Sequence, residues 1–255
     1  MSGRPLVLRR LAAGIGLLLA ITGCAPAPQP RPAGDLLVFA ASPLTEVFTA
    51  IGDYLEQTYP GLRLSFRFGS SRDLAEQLAA GEAADVFAAV GSADMALVAD
   101  ARELRASPAV FARTQLVIAV AKGNPAGVAK LADLAALRVA LCDPQTACGS
   151  ASNQVLAAAN VTVTPVSIET DSRSALARIV EGSADAALAY RTDARFMSSD
   201  VDTIEFVESV AAAVNCEIVV LDDAANPTAA ELFVSVVTSD QAREVLAQAG
   251  FRDPA

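Results

Sequence analysis

The residues of this chain that could do chemistry are serines placed where a strand hands over to a helix. Residues 38–48, VFAASPLTEVF, and residues 67–90, RFGSSRDLAEQLAAGEAADVFAAV, each put a hydroxyl between an apolar run and a helical pattern. A helix N-terminus presents backbone N–H groups without intrahelical partners, together with the positive end of the helix dipole. A serine beside it adds a neutral donor, so an oxyanion can be held there without a formal counter-charge. Ser42 and Ser71 are the leading donors, and Ser70 is the rival of Ser71. Hydroxyls and amides suit a fully deprotonated tetrahedral dianion, and no carboxylate is expected at the site to take a proton from phosphate.

Enzyme chemistry finds little support. The chain has no histidine, no G-x-S-x-G elbow, and no P-loop or G-x-G-x-x-G after a strand. Lys122 sits in the turn-like AKGNPAG and, like Lys130, has no activated nucleophile in its neighbourhood. Zinc is not expected either, because histidine is absent and no two cysteines stand at two-residue spacing. The expectation is a binding protein that is not an enzyme and carries no cofactor.

The elements that must position these serines alternate as in α/β architecture with mainly parallel sheets. Strands are expected at 36–41, 62–68, 86–90, 116–121, 138–142, 161–168, 186–190, 203–207 and 217–221. Leu44, Val47, Phe48, Ile51 and Leu55 recur at helical spacing as one apolar stripe, with Ser42 as N-cap and Pro43 as first helical residue. Asn226 and Pro227 open a later helix in the same manner. LAAGEAADVFAAV (78–90) and IVEGSADAALAY (179–190) share a plan of helix end, glycine, acidic turn and apolar strand. Such an echo suggests two lobes facing one crevice at the carboxyl ends of their strands.

The N-terminal segment sets the compartment. Arg4, Arg9 and Arg10 precede an apolar run, residues 11–21, of the length of a secretory h-region rather than a membrane span. Ile21-Thr22-Gly23-Cys24 reads as a lipobox, so residues 1–23 are expected to be a lipoprotein signal peptide and Cys24 the lipidated residue. Residues 24–34, with prolines at 26, 28, 30 and 32, form an extended tether. The chain carries 19 basic and 29 acidic residues, a net charge of −10, and losing the three leader arginines takes the body to −13. Nucleic acid is therefore not an expected partner, and any anion must be held by local dipoles against an unfavourable overall field. Cys142, Cys148 and Cys216 remain in a chain expected to face an oxidising exterior. Cys142 and Cys148 flank an Asp143-Pro144 turn and are the favoured disulfide, with Cys142–Cys216 as its rival.

Taken together, the FAASPL and FGSSRDLA blocks, with LAYRTDA and ETDSRSALA further on, resemble the molybdate-binding proteins of bacterial ABC transporters, and the similarity runs through nearly all of the body. The resemblance implies the two-lobed periplasmic binding protein type II fold, with a ligand cleft between lobes. It assigns residues 35–114 plus 216–255 to lobe 1 and residues 115–215 to lobe 2. It also implies a molybdate site made by the hydroxyls of Ser42, Ser71 and Tyr190 and the backbone amides at Cys148 and Ser172. CDPQTACGS stands where the family commonly has a proline-alanine-glycine turn, which puts Cys148 at the amide-donor position. The implied function is capture of molybdate, with tungstate, for an ABC permease served by a separate ATPase subunit. The protein is then expected to be a monomer held to the outer face of the cell membrane by lipid on Cys24. Another small oxyanion such as sulfate, or an anchored sensory or adhesive module, is the alternative reading.

Overall fold

The computed structural model describes residues 32–254; the leader, Cys24 and most of the tether lie outside the described residues. The first sheet is built from β1 (Gly34–Ala41), β2 (Leu62–Gly69), β3 (Val86–Val90), β4 (Ala109–Thr114) and β10 (Val214–Val220), in the order β2-β1-β3-β10-β4. The second takes β5 (Leu116–Ala121), β6 (Val139–Cys142), β7 (Ser167–Glu169), β8 (Ala186–Tyr190) and β9 (Val201–Ile204), in the order β7-β6-β8-β5-β9. This is the expected two-lobed α/β fold, with one qualification to its mainly parallel sheets. Pairing is parallel among β2, β1 and β3 and among β7, β6 and β8, but β10 and β5 run antiparallel to both of their neighbours. Each sheet is therefore mixed. The reversed strands adjoin the two stretches where the chain passes between sheets, Gln115 on the way out and residues 205–213 on the way back.

Gln115 ties those crossings together. It is buried, its Nε2 donates to Glu205 Oε2 at 3.0 Å and Ser209 Oγ at 3.2 Å, and its Oε1 accepts from Arg252 Nη1 at 2.6 Å. A buried side-chain amide with all these partners is held in one orientation, which suits a pivot.

Helices cover the sheets as the apolar periodicity requires. Leu44 and, from α1 (Thr45–Thr58), Val47, Phe48, Ile51 and Leu55 are buried, and the Phe48 ring meets Phe233 of α8 (Pro227–Val237) edge-on at 5.2 Å. The Asn226 side chain caps α8 by accepting from the Ala229 N–H. The start of α1 differs from expectation. Ser42–Leu44 is a short 3-10 turn, α1 begins at Thr45, and the Ser42 carbonyl accepts from the Thr45 hydroxyl at 2.7 Å. The Ser42 hydroxyl thus makes no capping bond and stays available. Residues 161–166 are not a strand; Val161 and Val163 pack singly on the core while Val166 is exposed. β9 ends at Ile204, ahead of the expected 203–207 strand's end, and the chain turns into α7 (Glu208–Ala211).

Cys142 and Cys148 are joined by a disulfide, and Cys216 on β10 is a buried free thiol. The bridged loop runs directly into α4 (Ala147–Ala158), and Gly149 is its tightest point. A Cβ there would fall 1.9 Å from the Asp143 carbonyl oxygen and 2.7 Å from that of Cys142. Gly149→Ala should therefore force the loop off α4 and lower stability by about 1–3 kcal/mol, the usual cost of overpacking. Thermal denaturation reads it: an unchanged melting temperature would show that this loop is not closed as described.

Candidate functional site

Six strand ends meet at one place. β1, β2 and β3 of the first lobe and β6, β7 and β8 of the second all point their carboxyl ends at a small cavity of about 30 Å³. Ser42, Ser70, Ser71, Val90, Asp94, Thr146, Cys148, Thr170, Ser172 and Tyr190 are among its lining residues. All five residues expected to hold the ligand, Ser42, Ser71, Cys148, Ser172 and Tyr190, share this one wall.

Its donors come from turns built alike in the two lobes. In the first lobe α2 (Ser71–Ala79) ends at Gly81, φ +96°, and the chain turns through Asp85 into β3. In the second, α5 (Ser172–Val180) ends at Gly182, φ +73°, and turns through Asp185 into β8. Only glycine takes such dihedrals without strain. Asp85 accepts the Leu37 N–H at 2.7 Å and returns its own N–H to the Leu37 carbonyl, and Asp185 does the same with Arg138. The first serine of each helix closes the unit. Ser71 Oγ accepts the Val90 N–H at 3.0 Å, and Ser172 Oγ accepts the Tyr190 N–H at 2.8 Å. The sequence echo is a repeated supersecondary unit, placed once on each side of the cavity.

Equivalent backbones do not make equivalent hydroxyls. Having accepted from Val90, Ser71 retains an O–H with no partner among the described residues. Ser172 lies near the buried Asp193 carboxyl, whose ionised form it favours, and its backbone N–H stands at the start of α5. Ser70, the N-cap of α2, makes no side-chain capping bond and also lines the wall. In the second lobe Thr146 caps α4 by accepting the Gly149 N–H at 3.1 Å, and Asp171 caps α5 by accepting the Ser174 N–H at 2.9 Å. Those caps serve the third amide of each helix. The N–H groups of Ala147 and Cys148, and of Ser172 and Arg173, keep no intrahelical partner.

Tyr190 completes the set. Its ring is buried, its hydroxyl oxygen is sealed from solvent, and that oxygen has no hydrogen-bond partner among the described residues. Burial pushes the phenol well above its usual range, so the group is an O–H donor at any physiological pH. A desolvated hydroxyl left unpaired costs about 1–3 kcal/mol, and its place at a cavity of donors points to a ligand acceptor.

The walls meet across the lobes. Gly91, φ +117°, lies against Ala147, where a Cβ would come within 2.6 Å of the alanine methyl. Arg173, directly after Ser172, donates to Asp193 of α6 (Arg191–Phe196) at 2.8 Å and reaches Glu46 in the first turn of α1 at 2.5 Å. Asp193 is fully buried, and burial pushes its pKa up to about 6 against the pull of Arg173.

No lysine or arginine side chain lines the cavity, which fits a site of neutral donors. One expectation is corrected here: carboxylates do stand at the wall, those of Asp94 and Asp171. Asp171 follows from its capping role, whereas Asp94 belongs to α3 (Ser92–Ala101), which the sequence does not tie to the site. Such an arrangement can hold a small anion and surround it from both lobes, but it offers no nucleophile–base pair for catalysis.

Known proteins agree with that geometry. Over 231 residues the chain is 37% identical to the molybdate-binding protein ModA of Mycobacterium tuberculosis (strain H37Rv), covering 90% of this chain and 88% of the relative. Its fold superposes on the periplasmic molybdate-binding protein of Azotobacter vinelandii with a TM-score of 0.74 at 16% identity, covering 86% of this chain and all of that one. It superposes also on the sulfate-binding protein SubI of Mycobacterium tuberculosis H37Rv, with a TM-score of 0.69 at 19% identity and 86% of both chains covered. Residues 36–252 match the bacterial extracellular solute-binding protein family. With that match along residues 36–252, and a cavity between the two sheets whose donors are hydroxyls and amides, the chain belongs to the bacterial extracellular solute-binding proteins.

Proposed function

We propose that the protein captures molybdate, and tungstate with it, and delivers the oxyanion to an ABC permease driven by a separate ATPase subunit. The observation that carries this reading is the buried, unpartnered Tyr190 hydroxyl at a cavity where Ser42, Ser71 and the first amides of α4 and α5 converge. The identity shared with ModA supports the choice of molybdate among oxyanions. In this reading the hydroxyls of Ser42, Ser71 and Tyr190 and the amides at Cys148 and Ser172 are the ligand donors. The sheet of β1–β4 and β10 then belongs to lobe 1 and that of β5–β9 to lobe 2, the expected boundary at 215/216 falling inside β10, so only the closed form makes both halves of the donor set. Lipid on Cys24 holds the monomer to the outer face of the membrane through the proline-rich tether. Among the described residues no helix is long and apolar enough to cross a membrane.

Competition calorimetry tests the ligand. Molybdate and tungstate should bind alike, one per chain, and sulfate much more weakly, because the smaller anion cannot meet donors of both lobes at once. Sulfate binding as tight as molybdate would sink the assignment.

Substitutions separate hydroxyl donors from amide donors. Tyr190→Phe and Ser71→Ala should each weaken molybdate binding by about 1.5–3 kcal/mol, the worth of a hydrogen bond to a charged group. Ser71→Ala and Ser172→Ala both orphan a buried strand N–H, so both should lower stability by about 1–3 kcal/mol. Ser172→Ala should nevertheless leave affinity nearly intact. Affinity losses equal to those of Ser71→Ala would refute the division of roles.

The anchor is tested on its own. Cys24→Ala should release the protein from membranes while molybdate affinity stays unchanged, since the tether separates lipid from fold. A variant that still sediments with membranes after a high-salt wash would contradict the lipobox.

A further inference from the structure

An anion site has no obvious use for a buried carboxyl, yet Asp94 provides one. The residue is 2% exposed, and it lines the same cavity as Ser42, Ser71 and Tyr190. No hydrogen bond from the described residues reaches its carboxyl. The nearest cation is Arg72, with Nη1 3.9 Å from Asp94 Oδ1, and that guanidinium already binds Glu76 at 2.7 Å through Nε.

The other groups facing Asp94 do not relieve it. From α2 come Arg72, Asp73 and Glu76, and from β8 comes the neutral Tyr190 phenol. At the start of α3, Ser92 binds Glu217 of β10, and Arg113 of β4 shares only the outer cleft with Asp94. Across the cavity Thr146 and Ala147, at the start of α4, bring nothing that titrates, and Asp171, the N-cap of α5, adds a further carboxyl to the wall. The local balance is acidic even before a ligand enters.

A dianion in this cavity and an ionised Asp94 would repel each other at close range in a medium of low polarity, and neutralising one of the two removes that repulsion. The ligand cannot supply the neutralising proton, because molybdate is unprotonated near neutral pH. We infer that Asp94 takes up a proton when the oxyanion binds, so that its carboxyl becomes a further O–H donor to the site and binding is coupled to pH. This rests on the oxyanion reading of the cavity and adds to it a proton-linked selectivity residue.

The titration works in the required direction. Burial pushes Asp94 up to about 6 in the ligand-free protein, against the pull of Arg72. A bound dianion moves it further the same way. Above about pH 6 the free protein carries the ionised form and the complex the protonated one, so affinity rises as pH falls from about 8 toward 6. Below that the dependence flattens, because both states are protonated.

Titration calorimetry of the protein with molybdate at about pH 7.5, in two buffers of different protonation enthalpy, counts the protons directly. The wild type should take up between about half and one proton per molybdate, with Kd falling by no more than about tenfold per pH unit. Asp94→Asn should bind molybdate with near-zero uptake and a Kd independent of pH over that range. Wild-type binding without proton uptake would overturn the inference even if Asp94→Asn failed to fold. Uptake that persists in Asp94→Asn would also overturn it, assigning the proton to another carboxyl, Asp193 behind the wall or Asp171 on it. A wild type that shows no molybdate heat at all would instead remove the oxyanion reading, and this inference with it.

Discussion

A strand N–H received by a serine hydroxyl is the structural contact that both lobes repeat at the cavity. Ser71 takes the Val90 amide and Ser172 takes the Tyr190 amide, each pinning the first residue of a helix to the last residue of the next strand. That bond fixes the helix N-terminus at the strand ends, where its free amides and dipole face the cavity. A chain of net charge −10 could not hold an anion by general attraction. It can do so with neutral donors fixed in a desolvated cavity, where each hydrogen bond to a charged acceptor is strong and needs no reorganisation.

Repetition of this unit explains why the site lies between lobes. Each lobe supplies one serine-pinned helix, one C′ glycine and one aspartate that locks the turn to the neighbouring strand. Neither lobe alone surrounds a ligand. Closeness at the seam follows from Gly91 against Ala147, and Arg173 spans it by holding Asp193 on its own side and Glu46 on the other. The Gln115 amide, gripping Glu205, Ser209 and Arg252, keeps the two chain crossings in register. The two chain crossings are therefore joined by a polar, well-satisfied side chain rather than by a loose linker.

Much of this is legible in the sequence, because the signals are local. Serine at a strand–helix boundary, glycine after a helix and an aspartate before an apolar strand are short-range features, and they place α2–β3 and α5–β8 correctly. What stayed hidden depends on long-range contacts. β4 (Ala109–Thr114) is not among the expected strands; it pairs with β10, from the far end of the chain, and ends just before the passage between sheets at Gln115. Residues 161–166 look like a strand by composition, but only Val166 meets the sheet there, its N–H donating to the Val139 carbonyl at 2.9 Å, and regular pairing begins at Ser167. Pro43 opened a 3-10 turn where an α-helix start was expected, which frees the Ser42 hydroxyl. Asp94 was invisible as a site residue for the same reason, since nothing in GSADMALV marks it as facing a cavity two lobes share.

The central claim is that donors from both lobes converge on one oxyanion. Crystals of the protein grown with molybdate, measured at the molybdenum absorption edge, test it most directly. A single anomalous peak per chain should lie in the cavity, with the oxyanion's oxygens within hydrogen-bond reach of the Ser71 and Tyr190 hydroxyls and the Cys148 and Ser172 amides. A peak elsewhere on the molecule, or one contacted by a single lobe of a closed protein, would contradict the account.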